Sequence, residues 1–559
     1  MTAKPRVRIN ARNEISAING FSVPPGVYGR GRRDAARHDI SELNGWSPGI
    51  AYAGSDYFGD MATIMGRSRD LDANNAWING GLDRRVEAVV GGNIRLSAQP
   101  VYQLFNRDYA WRVKWAADTQ PRFKVWANDI DRRCDARMML SFGAMVKLAY
   151  LTYIRDGEAC GEIRDDYRGI PNPTNVLLIE PERISNPQDR ALTEGPQLRN
   201  GITYDKNGAP TGYWVASRHQ NDPTPGVEPI RWEWIPIRGK TGRRKFLHVF
   251  NPRHVAQNRG ISRLAEAMVP AKMIDRVDRA EVEAALKSAI LSFFIKSPGT
   301  TKDLEDALAS ADDGTADAWI SDYVQYRKEA PIRLEGASIV HLLPEEDVVT
   351  PSRNSPNANY PDFVRFVLQK IAGSLGISYP QLSQDWAGIN YSSARALLNE
   401  LWRSFLEDRH FFTQAFCTPI YAAWLEMEVA NGDIKIPGGP ANFYRLKTAI
   451  TMAEWIGPGR GSVDPLKEAN ANNLDTAAGR TSTVQHILEA GRDPEDVMNE
   501  EAWYLQSRAD RSLAVPNHNV KADAAGSDAA DGNGGTEQDH DGDGIPLEDK
   551  KRKPMEQPA

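Results

Sequence analysis

Two helical patterns flanking a short polar loop, over residues 360–432, restrict what this chain can fold into more than any other stretch. In the first, Phe363, Val367, Leu368, Ile371, Ala372 and Leu375 recur three and four residues apart, the repeat of one helix face. Gly376 stands where a helix C-cap glycine belongs. Residues 377–390 then carry Pro380, Gly388 and several amide and hydroxyl side chains, a composition that breaks helices, with Trp386 as an apolar tip. Ser392 or Ser393 can cap a second helix, whose apolar positions include Ala394, Leu397, Leu398, Leu401, Phe405, Phe412, Phe416, Ile420, Ala423 and Met427. Asn431 and Gly432 supply its stop. That helix of about 39 residues would be about 58 Å long, beyond the usual globular length. Pro419 inside it predicts a kink. A long helix with a loop at its head suits an elongated, ring-forming subunit.

The rest of the 559 residues divide around this unit, and length alone suggests three or four domains. A net charge of -6 is small for this size, so any contact with nucleic acid must be local. Cys134, Cys160 and Cys417 are odd in number, widely spaced and without a CxxC pair, which predicts buried free thiols in a reducing compartment. The first 19 residues lack the apolar core of a signal peptide, and no run of about 18 apolar residues predicts a membrane span.

In chain order, residues 1–60 read as a flexible, locally basic arm with Arg30, Arg32, Arg33 and Arg37 close together and Arg12 upstream. Residues 60–94 give two amphipathic helices meeting near Asn74, and 125–154 a third helical stretch. From 157 to 250 the period shifts towards two, in short runs around Val176, Tyr213, Trp232 and Phe246 that predict an antiparallel sheet, with its tryptophans in the core. Residues 261–295 form a second long helical pattern with an alternating charged face, in which Pro270 either kinks or starts the helix. A compact insertion at 297–350 separates the two long patterns, with a helical piece at 302–326 and strand-like runs at 332–334 and 338–343. Beyond 432 come a Pro/Gly turn, a mixed segment, and short helices at 465–474 and 481–490. Residues 516–559 have almost nothing to bury and predict a disordered acidic tail.

Enzymatic chemistry leaves few traces. The only Gly-Lys-Thr, at Gly239, Lys240 and Thr241, has Trp234 where a phosphate loop needs its first glycine. HExxH, GxSxG and dinucleotide-binding patterns are absent from the sequence, and His248, His341 and His410 stand alone. Asp539, Asp541, Asp543 and Gly544 copy the opening of a calcium loop, but Lys550 occupies the position of the bidentate Glu, leaving only Glu548 and Asp549 as substitutes. An acidic solubilising tail explains them as well.

The chain resembles the portal proteins of tailed bacteriophages, specifically the lambda-like family. The blocks that carry the resemblance are Pro181-Glu182-Arg183-Ile184-Ser185-Asn186-Pro187, Phe246-Leu247-His248-Val249-Phe250 with Arg259-Gly260, and Ala330-Pro331-Ile332-Arg333-Leu334. They continue through Leu375-Gly376-Ile377-Ser378-Tyr379 with Gln381-Leu382-Ser383, Tyr391-Ser392-Ser393-Ala394-Arg395-Ala396, and Trp455-Ile456-Gly457 with Gly459-Arg460. The resemblance implies an α+β, portal-type elongated subunit in a homo-oligomeric ring, usually of twelve, at one vertex of the virion. Double-stranded DNA would pass through it without sequence specificity, during packaging and ejection. It further implies a wing at 61–260, stem helices at 261–296 and 351–376, a clip at 297–350, a tunnel loop at 377–390, a long kinked wing helix at 391–431 and a crown at 432–515. Terminase large subunit, major capsid and scaffold proteins and a head-tail connector would be its partners, with no cofactor and no membrane, and assembly would occur in the host cytoplasm. The loop residues facing the DNA channel would be Gln381, Ser383, Gln384, Asp385, Trp386 and Asn390. Pro270 and the long acidic tail are not part of the family pattern. Two other classes compete: a packaging ATPase or nuclease, which ATP turnover would reveal, and a monomeric adaptor, which mass in solution would reveal.

Overall fold

The computed structural model describes residues 58–187, 198–222, 228–290, 294–296, 325, 347–349, 359–387, 390–461 and 464–514. The N-terminal arm, nearly all of the 297–350 insertion with His341, and the acidic tail with Asp539, Asp541 and Asp543 lie outside the described residues.

Four helices open the described chain: α1 (Phe58–Asn74), α2 (Ala76–Val89), α3 (Tyr109–Ala127) and α4 (Phe142–Asp156). The break between α1 and α2 falls at Asn75, whose Oδ1 accepts the Ile78 N–H at 3.0 Å and so caps α2. The single helical stretch expected over 125–154 is instead the end of α3, a turn-rich connection and α4. Asp135 explains the interruption: its buried carboxylate accepts the backbone N–H groups of Arg137, Met139 and Leu140, each at 3.0 Å, and offers the chain an alternative to a helix.

Two antiparallel sheets follow. The first has the order β3-β2-β8, built from β2 (Glu158–Asp165), β3 (Thr174–Ile179) and β8 (Phe246–Phe250). The second is a meander of β4 (Leu198–Arg199), β5 (Ile202–Tyr204), β6 (Pro210–Ala216) and β7 (Trp232–Pro236). Alternation along the strands serves two cores. Ala159, Ile163, Leu247 and Val249 face the helices, whereas Cys160 and Phe246 join Ile202, Tyr213, Val215 and Ile235 between the sheets. Tyr213 stacks on Phe246 with ring centroids 4.2 Å apart. Trp234 departs from the expected core position: 43% exposed, it lies over Gly212, where an added Cβ would come within 2.5 Å of the indole.

After the sheets come α5 (Met268–Ile290), the short pair β9 (Phe294–Lys296) and β10 (Asp347–Val349), α6 (Tyr360–Leu375), α7 (Tyr379–Ser383) and α8 (Tyr391–Asn431). Pro270 sits in the first turn of α5, where a missing N–H costs no hydrogen bond, so it starts that helix. Helix α8 has 41 residues, about 60 Å, with Pro419 inside. Its second half is the spine of the main core. Phe412, Phe416, Ile420, Tyr421 and Trp424 are fully buried, and Phe123 of α3 meets Tyr421 and Trp424 edge-on at 5.8 and 5.2 Å.

The chain closes through α9 (Gly439–Arg445), α10 (Lys447–Ile450) and β11 (Ala453–Ile456), which pairs antiparallel with β1 (Arg95–Ala98). Then come α11 (Pro465–Ala477), α12 (Thr483–Glu489) and α13 (Pro494–Asp510). Helix α13 was not expected from the sequence, because its apolar residues are sparse and none is buried; α11 and α12 bury none either.

Candidate DNA-facing loop and its anchorage

The loop between α6 and α8 is mounted rather than free. Helix α6 buries Val367, Leu368, Ile371, Ala372 and Leu375 and ends at Gly376 in the left-handed region, φ +65°. Ser378 then opens α7 with a capping box: Gln381 Oε1 accepts the Ser378 N–H at 3.0 Å while the Ser378 hydroxyl accepts from the Gln381 N–H. Ile377 and Leu382 are buried, and Leu375 and Leu382 crowd Gly81 of α2 so closely that a Cβ there would lie 2.5 and 3.0 Å from their methyls.

This divides the six candidate residues. Gln381 is spent on the capping box, and the half-buried Ser383 donates its hydroxyl to Tyr379 O at 2.9 Å. Gln384, Asp385, Trp386 and Asn390 are exposed. Gln384 takes φ +58° and donates to Gln381 O at 2.7 Å, turning the chain out of α7. Asp385 accepts the Ala387 N–H at 3.0 Å, and Trp386 is 49% exposed. Asn390, rather than Ser392 or Ser393, caps α8, accepting the Ser393 N–H at 2.8 Å. From 377 to 390 the sequence contains one carboxylate and no Lys or Arg. A chain so built offers a phosphate backbone no cation to bind.

Three arginines fasten the elements behind the loop. Arg85 of α2, 1% exposed, donates to Leu375 O at 2.9 Å, Gly376 O at 3.0 Å and Asp408 of α8 at 2.8 Å. The half-buried Arg263 donates to Ser374 O at 3.1 Å. The Tyr150 hydroxyl of α4 also donates to Asp408, and burial keeps that phenol well above its ordinary pKa. Arg409, next along α8, donates to Val89 O at 2.7 Å and to Pro458 O at 3.0 Å. Nothing in the sequence singles these residues out, since a lone arginine in a helical pattern looks like a solvated charge.

A second polar centre lies where the sheets meet the start of α5. Glu158 is completely buried; its carboxylate accepts from Arg259 Nε at 2.9 Å, from the Gly260 N–H at 3.0 Å and pairs with His248 at 2.8 Å. Arg259 continues to Ile184 O at 3.0 Å and Pro181 O at 2.9 Å. Burial alone would raise the Glu158 pKa, but Arg259 and His248 hold it down at about 2. The sequence blocks at 181–187, 246–250 and 259–260 are thus one node. Glu158, Cys160 and His248 could together offer a metal three ligand atoms. The guanidinium already occupying both carboxylate oxygens makes a cation there unfavourable. Elsewhere, Gly239–Thr241 forms a turn between β7 and β8 with no helix after it, which is not the geometry of a phosphate loop. His410 is exposed. Among the described residues no helix is long and apolar enough to cross a membrane.

Comparison with known proteins gives the family of the chain. The chain is 27% identical over 481 residues to the portal protein of Escherichia phage N15, covering 85% of this chain and 90% of that one. It is 26% identical to portal protein B of Escherichia phage lambda, covering 85% and 89%, and 25% identical to a probable portal protein of Halomonas phage phiHAP-1, covering 86% and 87%. Among solved structures it is similar to a chain in the neck of an empty gene transfer agent particle computed with C6 symmetry, with a TM-score of 0.40 and 15% identity over 78% of this chain and 94% of that one. The family profile described as "Phage portal protein, lambda family" matches residues 40–409, more than half of the sequence, and the chain belongs to that family.

Proposed function

We propose that this portal protein works as a homo-oligomeric ring of twelve, through whose centre double-stranded DNA passes into and out of the capsid, with the exposed tip at Gln384, Asp385 and Trp386 facing the duplex. The observation that carries this reading is a cation-free loop mounted on a capped helix pair whose apolar face is buried. A duplex in transit must be guided without being held, and each phosphate neutralised by Lys or Arg adds salt-dependent affinity. A near-neutral subunit with an amide, a carboxylate and an indole at its tip meets that requirement.

The remaining assignments follow the family's order. Helices α5 and α6 act as the stem, residues 297–350 as the clip that meets the terminase large subunit and later the head-tail connector, α8 as the wing helix and 432–515 as the crown. Burial along α5 supports the stem reading: Ala271 and Ile274 near its start are fully buried, whereas Val282 and Leu286 further out are exposed, as in a helix leaving one body to lie against neighbours. The capsid and scaffold proteins contact the outside of the ring, which assembles in the host cytoplasm as a structural, non-catalytic component.

Electron microscopy of the purified protein tests the reading. End-on views are expected to show rings with a hole wide enough for a duplex, and removal of residues 384–387 is expected to leave the rings intact while changing DNA packaging or retention. Compact monomers at every protein and salt concentration would overturn it.

A further inference from the structure

We propose that Arg85 and Arg263 are positioning residues that lock the root of the DNA-facing loop to α2 and α8, so that a push on the tip moves the long helix instead of unwinding the end of α6. The proposal rests on the conduit reading for its purpose, but its geometry stands without it. The last carbonyls of a helix have no partner within the helix and carry the negative end of its dipole. At the end of α6 three successive carbonyls, those of Ser374, Leu375 and Gly376, all accept from these two guanidiniums, at 2.9 to 3.1 Å.

Gly376 shows how tightly the junction is built: a Cβ on it would lie 2.5 Å from Arg263 Nη2 and 2.6 Å from Arg85 Nη1. Two cations at one helix end repel each other: burial lowers the pKa of Arg263, and the neighbouring charge of Arg85 lowers it further. Asp408 balances them, and through it the junction reaches α8 and the Tyr150 hydroxyl of α4. Arg85 also lies over the Phe405 ring, 5.7 Å from its centroid, where the buried face of α8 begins. The loop therefore leaves from a point fixed to three other helices, while its tip eight to ten residues on is exposed.

Hydrogen exchange on the full-length protein tests this. Arg85→Gln removes the charge and the fork that reaches both carbonyls; Arg85→Lys keeps the charge but cannot span two carbonyls and a carboxylate. Arg243→Gln serves as the control, since Arg243 is another buried arginine, bound to Thr174 Oγ1 at 2.8 Å in a different part of the fold. Amides of 376–387 are expected to exchange about tenfold faster or more in Arg85→Gln, with a smaller increase in Arg85→Lys and none in Arg243→Gln at matched loss of thermal stability. Equal exchange in Arg85→Gln and the wild type, or an equal increase in the control, would overturn the proposal. Packaging by a variant lacking 384–387 reports on the conduit reading alone, because it leaves the arginines in place.

Discussion

Glu158 shows what one residue can contribute when it is buried with its partners complete. Removing one member of a buried ion pair leaves the other charged and unsolvated, at a cost of about 3–5 kcal/mol. Glu158→Gln is expected to lose stability of that order in chemical denaturation at neutral pH, since Arg259 would keep its hydrogen bonds to Pro181 and Ile184 but lose its counter-charge. The sign of the pH dependence follows from the depressed pKa. A carboxyl at about 2 in the folded protein and near its ordinary 4.5 when unfolded stabilises the fold fully above 4.5, and that contribution disappears as the pH falls towards 2. The stability difference between wild type and Glu158→Gln should therefore narrow across that window; a constant difference would show that the carboxylate is not the source. The three cysteines make a simpler case. All are free and buried, and burial drives the thiols of Cys160 and Cys417 well above their usual range and that of Cys134 up to about 12. A maleimide reagent is expected to modify none of them in the native protein and all three in denaturant.

Among the elements, the two left-handed glycines that close α6 and α8 allow backbone strain to be separated from packing. Gly376 and Gly432 have φ of +65° and +84°, so alanine at either strains the backbone by about 1–2 kcal/mol. Nothing lies within 4 Å of a Cβ on Gly432, whereas one on Gly376 would displace two guanidiniums. Gly432→Ala should cost only the strain, and Gly376→Ala clearly more, as measured by thermal unfolding; equal costs would mean that the arginines yield without penalty. The glycines, the loop and the long helix were legible in the sequence because each rests on local chemistry: a 3.6 period, a cap, a breaker. The central strand β2 was not. It is not among the short runs that predict the sheet, because Glu158, Gly161, Glu162, Arg164 and Asp165 leave it little apolar content, and only pairing with β3 on one side and β8 on the other makes Glu158 an interior residue. The same applies to Arg85 and Asp408, which are 323 positions apart and acquire meaning only as a pair. Between α6 and α8 the sequence shows that the helical pattern breaks, but not that Gln381 and Ser383 are consumed in holding α7 together.

At the scale of the whole molecule, many apolar side chains lie on the outside of a single subunit. Val269 is 70% exposed, Leu466 and Leu474 71% each, and Trp503 68%. Neighbours in the proposed ring would cover such surfaces, and on the proposed reading the loop tips of all subunits would form one girdle around the DNA. Symmetry multiplies whatever charge stands at the tip. Asp385→Lys replaces an anion with a cation in a loop otherwise without formal charge, so a ring would acquire as many cations on that girdle as it has subunits. Each further phosphate neutralised steepens the fall of log affinity with log salt by about 0.9. If the tips face the duplex, the assembled protein carrying Asp385→Lys should bind double-stranded DNA more tightly at low salt, with a slope steeper by several units, and translocation should slow as each step breaks more ion pairs. Asp385→Asn should change the slope little, because it adds no cation. An unchanged slope in the lysine variant, in rings that are otherwise intact, would place the tips away from the DNA and transfer the guiding surface to another part of the channel wall.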